Sequence, residues 1–238
     1  MATEPTLPPQ PPPAIERPLG ILRARGFTPG AIIDIGVGAG TGGLYDIWGP
    51  AVPVVLIEPS RNAVPYMERI REERGNILIF NCGASDRAGV THATEDAVRP
   101  YVAFGGRKPK WKPVEVQIRR CDDIVRETGL DGPFVYKLDT DSHDWEALQG
   151  SQETLARTDV VVVELNVFNA FRGMASPDRI WRFLTDRGFA FFDFGSESHA
   201  DNGTLRGADF IFVRESLPAL RAAFESSAKA RSMVIYAR

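Results

Sequence analysis

Residues 32–43 read IIDIGVGAGTGG. An apolar, largely β-branched run ends at Asp34-Ile35 and passes at once into Gly36, Gly38 and Gly40, which predicts a buried strand, a tight turn and then a helix. Glycines at such a turn permit positive φ and let a ligand approach the backbone with no Cβ in the way. Working outward, the same alternation recurs. Strands are expected at Ala31–Ile35, Val54–Glu58, Ile77–Asn81, Phe134–Asp139, Val160–Leu165, Ala190–Phe194 and Asp209–Val213. Helices are expected near Arg61–Arg74, Asp122–Thr128, His143–Arg157 and Pro177–Arg187, with Gly75 and Gly188 as C-terminal stops and Ser176-Pro177 as a capped start. Strand–helix alternation of this kind predicts an α/β fold: a Rossmann-like, seven-stranded, mostly parallel sheet with helices on both faces.

The rest of the chain sets the boundaries. Seven of the 18 prolines fall between Pro5 and Pro18, so residues 1–20 read as an extended arm. A passive tail, a strap across a neighbouring subunit of a homo-oligomer, and a ligand for a proline-recognition module all remain open for it. Residues 21–214 form the expected domain, interrupted by an insertion at 86–113, where GGRKPKWKP lies between THAT and VEVQI, two runs able to pair as strands. Residues 215–238 are expected to be a C-terminal extension, helical in part. With 238 residues, 43% hydrophobic and 25% charged, one sizeable core is the natural outcome. A formal charge of −3 supplies no basic excess for nucleic acid or anionic lipid. Two cysteines, Cys82 and Cys121, are too few for a disulfide scaffold or a four-thiolate zinc site, and a cytoplasmic protein is expected.

Eighteen residues beyond Gly40, Glu58 closes the second expected strand in VVLIEPS, which brings a carboxylate beside the glycine turn, where the hydroxyls of a nucleoside ribose would donate to it. The segment GAGTGG, residues 38–43, also satisfies the dinucleotide spacing, so a nicotinamide-dependent oxidoreductase is one reading. Asp34, just before the first glycine, would repel a pyrophosphate but attract the ammonium of a methionine-like tail, which favours S-adenosylmethionine. A nucleoside-binding domain that has lost turnover is the non-enzymatic alternative.

The sequence resembles class I S-adenosylmethionine-dependent methyltransferases, and more narrowly the FkbM family. Its pattern of D-[IV]-G-A-N-x-G, E-P, D-D-[LI] and K-[IL]-D-x-E-G-x-E is met in order by Asp34 to Gly40, Glu58-Pro59, Asp122-Asp123-Ile124 and Lys137 to Asp144. The likeness spans about residues 30–213. Two departures stand out: Gly38 replaces the asparagine of the turn, and E-G-x-E has become Asp141-Ser142-His143-Asp144. The resemblance implies S-adenosylmethionine held by Asp34, Gly36, Gly38, Gly40, Glu58, Pro59 and Asp139, with Ala84 or Ser85 beside the adenine. It implies transfer to an oxygen of a small molecule, such as a sugar or natural-product scaffold.

Methyl transfer from a sulfonium is an in-line displacement, so it needs positioning and sometimes a proton acceptor. Asp139 ends the fourth expected strand, and the resemblance implies that it faces the methyl group; Asp141 and His143 follow it. Of the three histidines only His143 directly follows a strand end in the expected cleft, which makes it the candidate base. Alternatively Asp141 or Ser142 caps a helix that starts there. Asp139, Glu164 and Asn166 have the oxygens that magnesium takes, but polar groups around a cleft account for them as well, and no metal is expected. Trp145, Leu148 and Leu155, like Ile180, Trp181 and Leu184, have the spacing of helix faces packed on a sheet. NVFNAFRGMA, residues 166–175, is read as a substrate loop or an ordinary one.

Overall fold

The computed structural model describes residues 14–104, 111–167 and 174–219. In chain order the elements are α1 (Glu16–Ala24), β1 (Ala31–Ile35), β2 (Val54–Ile57), a 3-10 turn at Arg61–Ala63, α2 (Val64–Arg74), β3 (Ile77–Phe80), β4 (Gly83–Ala84), β5 (Gly89–Glu95), β6 (Val102–Ala103) and β7 (Lys112–Arg119). They continue with α3 (Cys121–Thr128), β8 (Phe134–Leu138), α4 (Asp144–Gln149), α5 (Gln152–Ala156), β9 (Thr158–Asn166), α6 (Pro177–Thr185), β10 (Phe189–His199) and β11 (Leu205–Arg214).

The main sheet has seven strands in the order β10-β11-β9-β8-β1-β2-β3. β1 pairs in parallel with both β2 and β8, β2 with β3 and β8 with β9, while β11 runs antiparallel to β9 and β10. Every residue of β1 is buried. Ile32 joins one apolar layer with Leu19 and Leu22 of α1 and Met67 of α2; Ala31, Ile33 and Ile35 join the opposite layer with α3, α4, α5 and α6. Two buried layers on one sheet explain the unbroken apolar runs of the central strands. The chain leaves β1 toward β2 on one side and returns through β8 on the other, so the strand order reverses between β1 and β8. In an open parallel sheet that reversal leaves a crevice at the carboxyl ends of the strands.

The seven strands and their mostly parallel arrangement are as the sequence predicts, and four features differ. The helix expected after the glycine turn is absent: turns, not a helix, lead from β1 to β2. The arm expected over 1–20 gives way to a helix already at Glu16. Pro18 lies in its first turn, where no intrahelical N–H is lost, and Ile15, Leu19 and Leu22 fall on its buried face. The single helix expected over His143–Arg157 is two short ones. Gly150 lies against Ser85, where a Cβ would come 1.9 Å from the Ser85 carbonyl oxygen, and Ser151 Oγ donates back to the Ala147 carbonyl at 2.6 Å. The insertion is a second sheet, β4-β7-β5-β6, that starts at Gly83 and runs to Arg119. THAT and VEVQI do pair: Thr91 faces Val116 and His92 faces Glu115 in an antiparallel ladder.

The Arg107 to Lys110 part of the basic cluster, most of the expected substrate loop, and nearly all of the C-terminal extension lie outside the described residues. Among those described, no helix is long and apolar enough to cross a membrane.

Candidate functional site

The glycine turn lies at the crevice between β1 and β8. Gly36 has φ +81°, and a Cβ on it would sit 1.7 Å from the carbonyl oxygen of Asp139, so only glycine lets the end of β1 close on the end of β8. A cleft of about 310 Å³ opens there, lined by the turn from Gly36 to Thr41, by Glu58 and Pro59, by Gly83 and Ala84, and by Asp139 to Asp141 with Asp209. Pro100, Tyr101, Val102 and Phe104 of the second sheet close the remaining wall.

Glu58 is 5% exposed and is held by the backbone: Gly38 N donates to its Oε2 at 3.1 Å and Ser60 N to its Oε1 at 2.8 Å. Burial pushes its carboxyl up to about 7, partly offset by those two donors. Each oxygen keeps an accepting direction beyond the bond it already makes.

Asp34 is fully buried and stands behind the turn, not in the cleft. Its Oδ2 accepts from Thr41 Oγ1 at 2.8 Å and from the Tyr45 hydroxyl, and its Oδ1 lies 3.5 Å from Lys137 Nζ. Tyr45 Oη in turn accepts from Thr41 N at 3.1 Å. The expectation that Asp34 meets a ligand ammonium is therefore corrected: the carboxylate ties the glycine turn to β1 and β8. Lys137, buried in an otherwise apolar strand, is among the described residues the one cation lining the cleft, and it is already committed. Its ammonium donates to the Gly36 carbonyl at 3.0 Å and to Asp139 Oδ2 at 3.3 Å.

On the far side of Lys137, Asp139, Asp141 and Glu164 bring one oxygen each within 4.8 Å of one another. Burial first, and the neighbouring Asp139 next, push Glu164 up to about 8. Asn166 does not extend that set as an oxygen donor, since its Nδ2 donates to Glu164 Oε2 at 3.1 Å. Burial also raises Asp209 to about 6, against the pull of Lys137. The carboxyl-rich end of the cleft is thus able to accept or hold protons near neutral pH.

His143 is not among the residues that line the cleft, unlike Thr140 and Asp141 before it, so its expected place as a base in the cleft is not met. Its Nε2 lies 3.0 Å from Ser85 Oγ, its Nδ1 is 3.6 Å from Glu146 Oε2, and its ring stacks on Phe104 at 4.3 Å. Ser85 is likewise buried behind the wall; Gly83 and Ala84 face the cleft. The capping alternative fails too. Asp141 adopts φ +60°, Ser142 Oγ accepts from Phe104 N at 3.2 Å, and the turn is braced by Asp144 Oδ1, which accepts from Thr140 N at 2.9 Å and Thr140 Oγ1 at 2.7 Å. Asp122, from the D-D-I segment, holds the fold together through Thr154, whose N and Oγ1 both donate to its Oδ1 at 2.9 Å.

Residues 37–191, more than half of the chain, match the family model described as the Methyltransferase FkbM domain. The chain belongs to the FkbM methyltransferase family. That membership sets the nicotinamide oxidoreductase aside and agrees with the glycine turn, Glu58 and the β8 motif meeting in one cleft. Solved structures similar to this FkbM-family chain include a methyltransferase FkbM from Methylobacillus flagellatus KT (14% identity, TM-score 0.48, covering 77% of this chain and 43% of that one). Others are a putative RNA methyltransferase from Pyrococcus horikoshii (15%, 0.42, 85% and 82%) and magnesium protoporphyrin IX methyltransferase from Synechocystis PCC 6803 with bound S-adenosylmethionine (13%, 0.46, 82% and 76%). The chain thus spans under half the length of the FkbM structure it matches. Among curated proteins no match to the sequence is found.

Lys137, Tyr45, Asp209 and the second-sheet wall of this FkbM-family chain have no role in the sequence reading. Lys137 carried the clearest signal: a lysine inside FVYKL, a strand with every residue buried, has to be paired.

Proposed function

We propose that the protein transfers the methyl group of S-adenosylmethionine to a hydroxyl oxygen of a small molecule, such as a sugar or natural-product scaffold. The observation that carries the cofactor assignment is Glu58. Its buried carboxylate is fixed by two backbone donors at the lip of a glycine-lined cleft, with accepting directions left over. Ribose hydroxyls are donors of the kind that would fill them, and a burial-raised carboxyl gains most from such donors. The open backbone of Gly36, Gly38 and Gly40 fits the close approach of the rest of the nucleoside. Pro59 and Ala84 supply apolar surface beside it.

When bound, the cofactor supplies a methyl carbon on a sulfonium, open to in-line attack. The oxygen–carbon bond forms as the carbon–sulfur bond breaks, and the acceptor proton must leave. Asp139 and Asp141, with Glu164 behind them, are the groups in position to take it. Lys137 holds the Asp139 carboxylate in place. The choice of oxygen as the acceptor atom rests on the resemblance to the FkbM family.

Calorimetric titration with S-adenosylhomocysteine, with NADH as control, tests the reading. One site per chain for the first and none for the second is expected. Glu58→Ala should weaken that binding by about 1–3 kcal/mol, since charged-acceptor hydrogen bonds are lost. Unchanged affinity in the variant would mean the ribose lies elsewhere. Binding without label transfer from a methyl-labelled donor to a broad hydroxyl panel would favour a domain that has lost turnover.

A further inference from the structure

Two neighbouring residues of the β8 motif, Ser142 in place of the pattern's glycine and His143 at its unconstrained position, both contact Phe104 beside the second sheet. Ser142 Oγ accepts from the backbone N of Phe104 at 3.2 Å, and the His143 ring lies over the Phe104 ring at 4.3 Å with 25° between their planes. Phe104 itself lines the cleft. Its ring also approaches Gly83, where an added Cβ would meet Phe104 Cζ at 3.0 Å, so the ring covers the strand next to the Ala84 wall. His143 is in turn held from behind, by Ser85 Oγ on Nε2 and by Glu146 near Nδ1.

We infer that His143 is a positioning residue that fixes the Phe104 ring as a wall of the cofactor cleft. The inference rests on the S-adenosylmethionine reading of that cleft. Phe104 follows β6 and packs against the second sheet's small core of Ala93, Val102, Val116 and Ile118, a sheet that does not share a ladder with the main one. With so small a core behind it, the ring gains from an anchor on the main sheet. The turn after β8 provides it, the same turn that carries Asp139 and Asp141 into the cleft. An uncharged imidazole suits this role, because it stacks on phenylalanine without a buried charge to compensate. Burial lowers the basicity of His143, against the opposing pull of Glu146 and Asp86, and Arg87 acts in the same direction as burial.

The test is S-adenosylhomocysteine binding by calorimetry for the wild type, His143→Ala, His143→Phe, Phe104→Ala and the double variant His143→Ala/Phe104→Ala, with melting temperatures recorded for each. His143→Ala should weaken binding about tenfold, the size of one lost aromatic pair, and His143→Phe should restore it to within about twofold. Because His143 acts through Phe104, the double variant should bind no more weakly than Phe104→Ala alone. Three results would overturn the inference: wild-type affinity in His143→Ala, a His143→Phe as weak as His143→Ala, or losses that add in the double variant. If His143→Ala does not fold, Phe104→Ala and His143→Phe decide the question, since the first should bind weakly and the second normally, and either failing to do so overturns the inference. A wild type that binds no S-adenosylhomocysteine removes the cofactor assignment together with this inference. Wild-type binding with unaffected variants removes the inference alone.

Discussion

Glu58 carries a charge that the folded protein accommodates poorly until a ligand arrives. Its carboxyl is raised from 4.5 to about 7 by burial, so the empty site favours the protonated form below that pH. The stability this gives the unliganded protein is present at low pH and is lost as pH rises through about 7. On the proposed reading, ribose hydroxyls donate more strongly to the carboxylate than to the acid, so binding favours the deprotonated form and releases a proton. Affinity for S-adenosylhomocysteine should therefore rise about tenfold between pH 6 and pH 8, and Glu58→Gln should flatten that rise. Calorimetry in buffers of different ionisation heat checks it, and a pH-independent affinity with no proton release would count against the assignment. Glu58 was legible in the sequence because it stands just past the end of its strand, at the carboxyl edge of the sheet where the glycine turn also lies. Asp34 and His143 were not, because position along a strand or turn does not say whether a side chain points into the crevice or behind it. Asp34 turns toward Tyr45, Thr41 and Lys137, and His143 toward Phe104, a residue of an insertion whose docking no local pattern encodes.

The end of β1 and the end of β8 are held so close at Gly36 that the element pairing and the cleft depend on one missing methyl group. Gly36→Ala would force its Cβ into the Asp139 carbonyl and also demand a positive φ from alanine. Overpacking and strain together should cost on the order of 3 kcal/mol in denaturant unfolding and abolish cofactor binding. A folded variant with full affinity would show that the closure of β1 on β8 is not needed. The central strands were readable because both faces are buried, so β-branched runs persist without alternation. Less readable were the ends and breaks of helices. Pro18 concealed the start of α1 because a proline-rich segment and a helix's first turn share the same letters. The break between α4 and α5 comes from the close approach of Ser85 to Gly150, a contact between residues 65 apart in the chain.

At the scale of the whole molecule, the cleft is shared by two sheets that are not hydrogen-bonded into one. The seven-stranded sheet brings the glycine turn, Glu58 and the acidic end; the four-stranded sheet brings Pro100, Tyr101, Val102 and Phe104. The smaller sheet has too little buried apolar surface of its own to stand as an independent body, so its order depends on how it is fastened. One fastening is the His143 and Ser142 contact with Phe104. Another lies beside Glu58: Glu95 Oε1 accepts from Ser60 Oγ at 2.7 Å and Arg61 N at 2.9 Å, and Asn62 Nδ2 donates to the Asp96 carbonyl at 3.0 Å. Fastened to the larger sheet by contacts of this kind, the smaller sheet would be a local unit that opens more readily. Glu95→Ala removes the two bonds that its carboxylate makes there, without touching the cleft lining. It should raise amide hydrogen exchange across residues 89–103 and 112–119 about tenfold, leave β1, β8 and β9 protected, and speed release of S-adenosylhomocysteine. Exchange that rises equally in both sheets would instead mean that they open as a single cooperative unit, with the insertion as much a part of the core as β1.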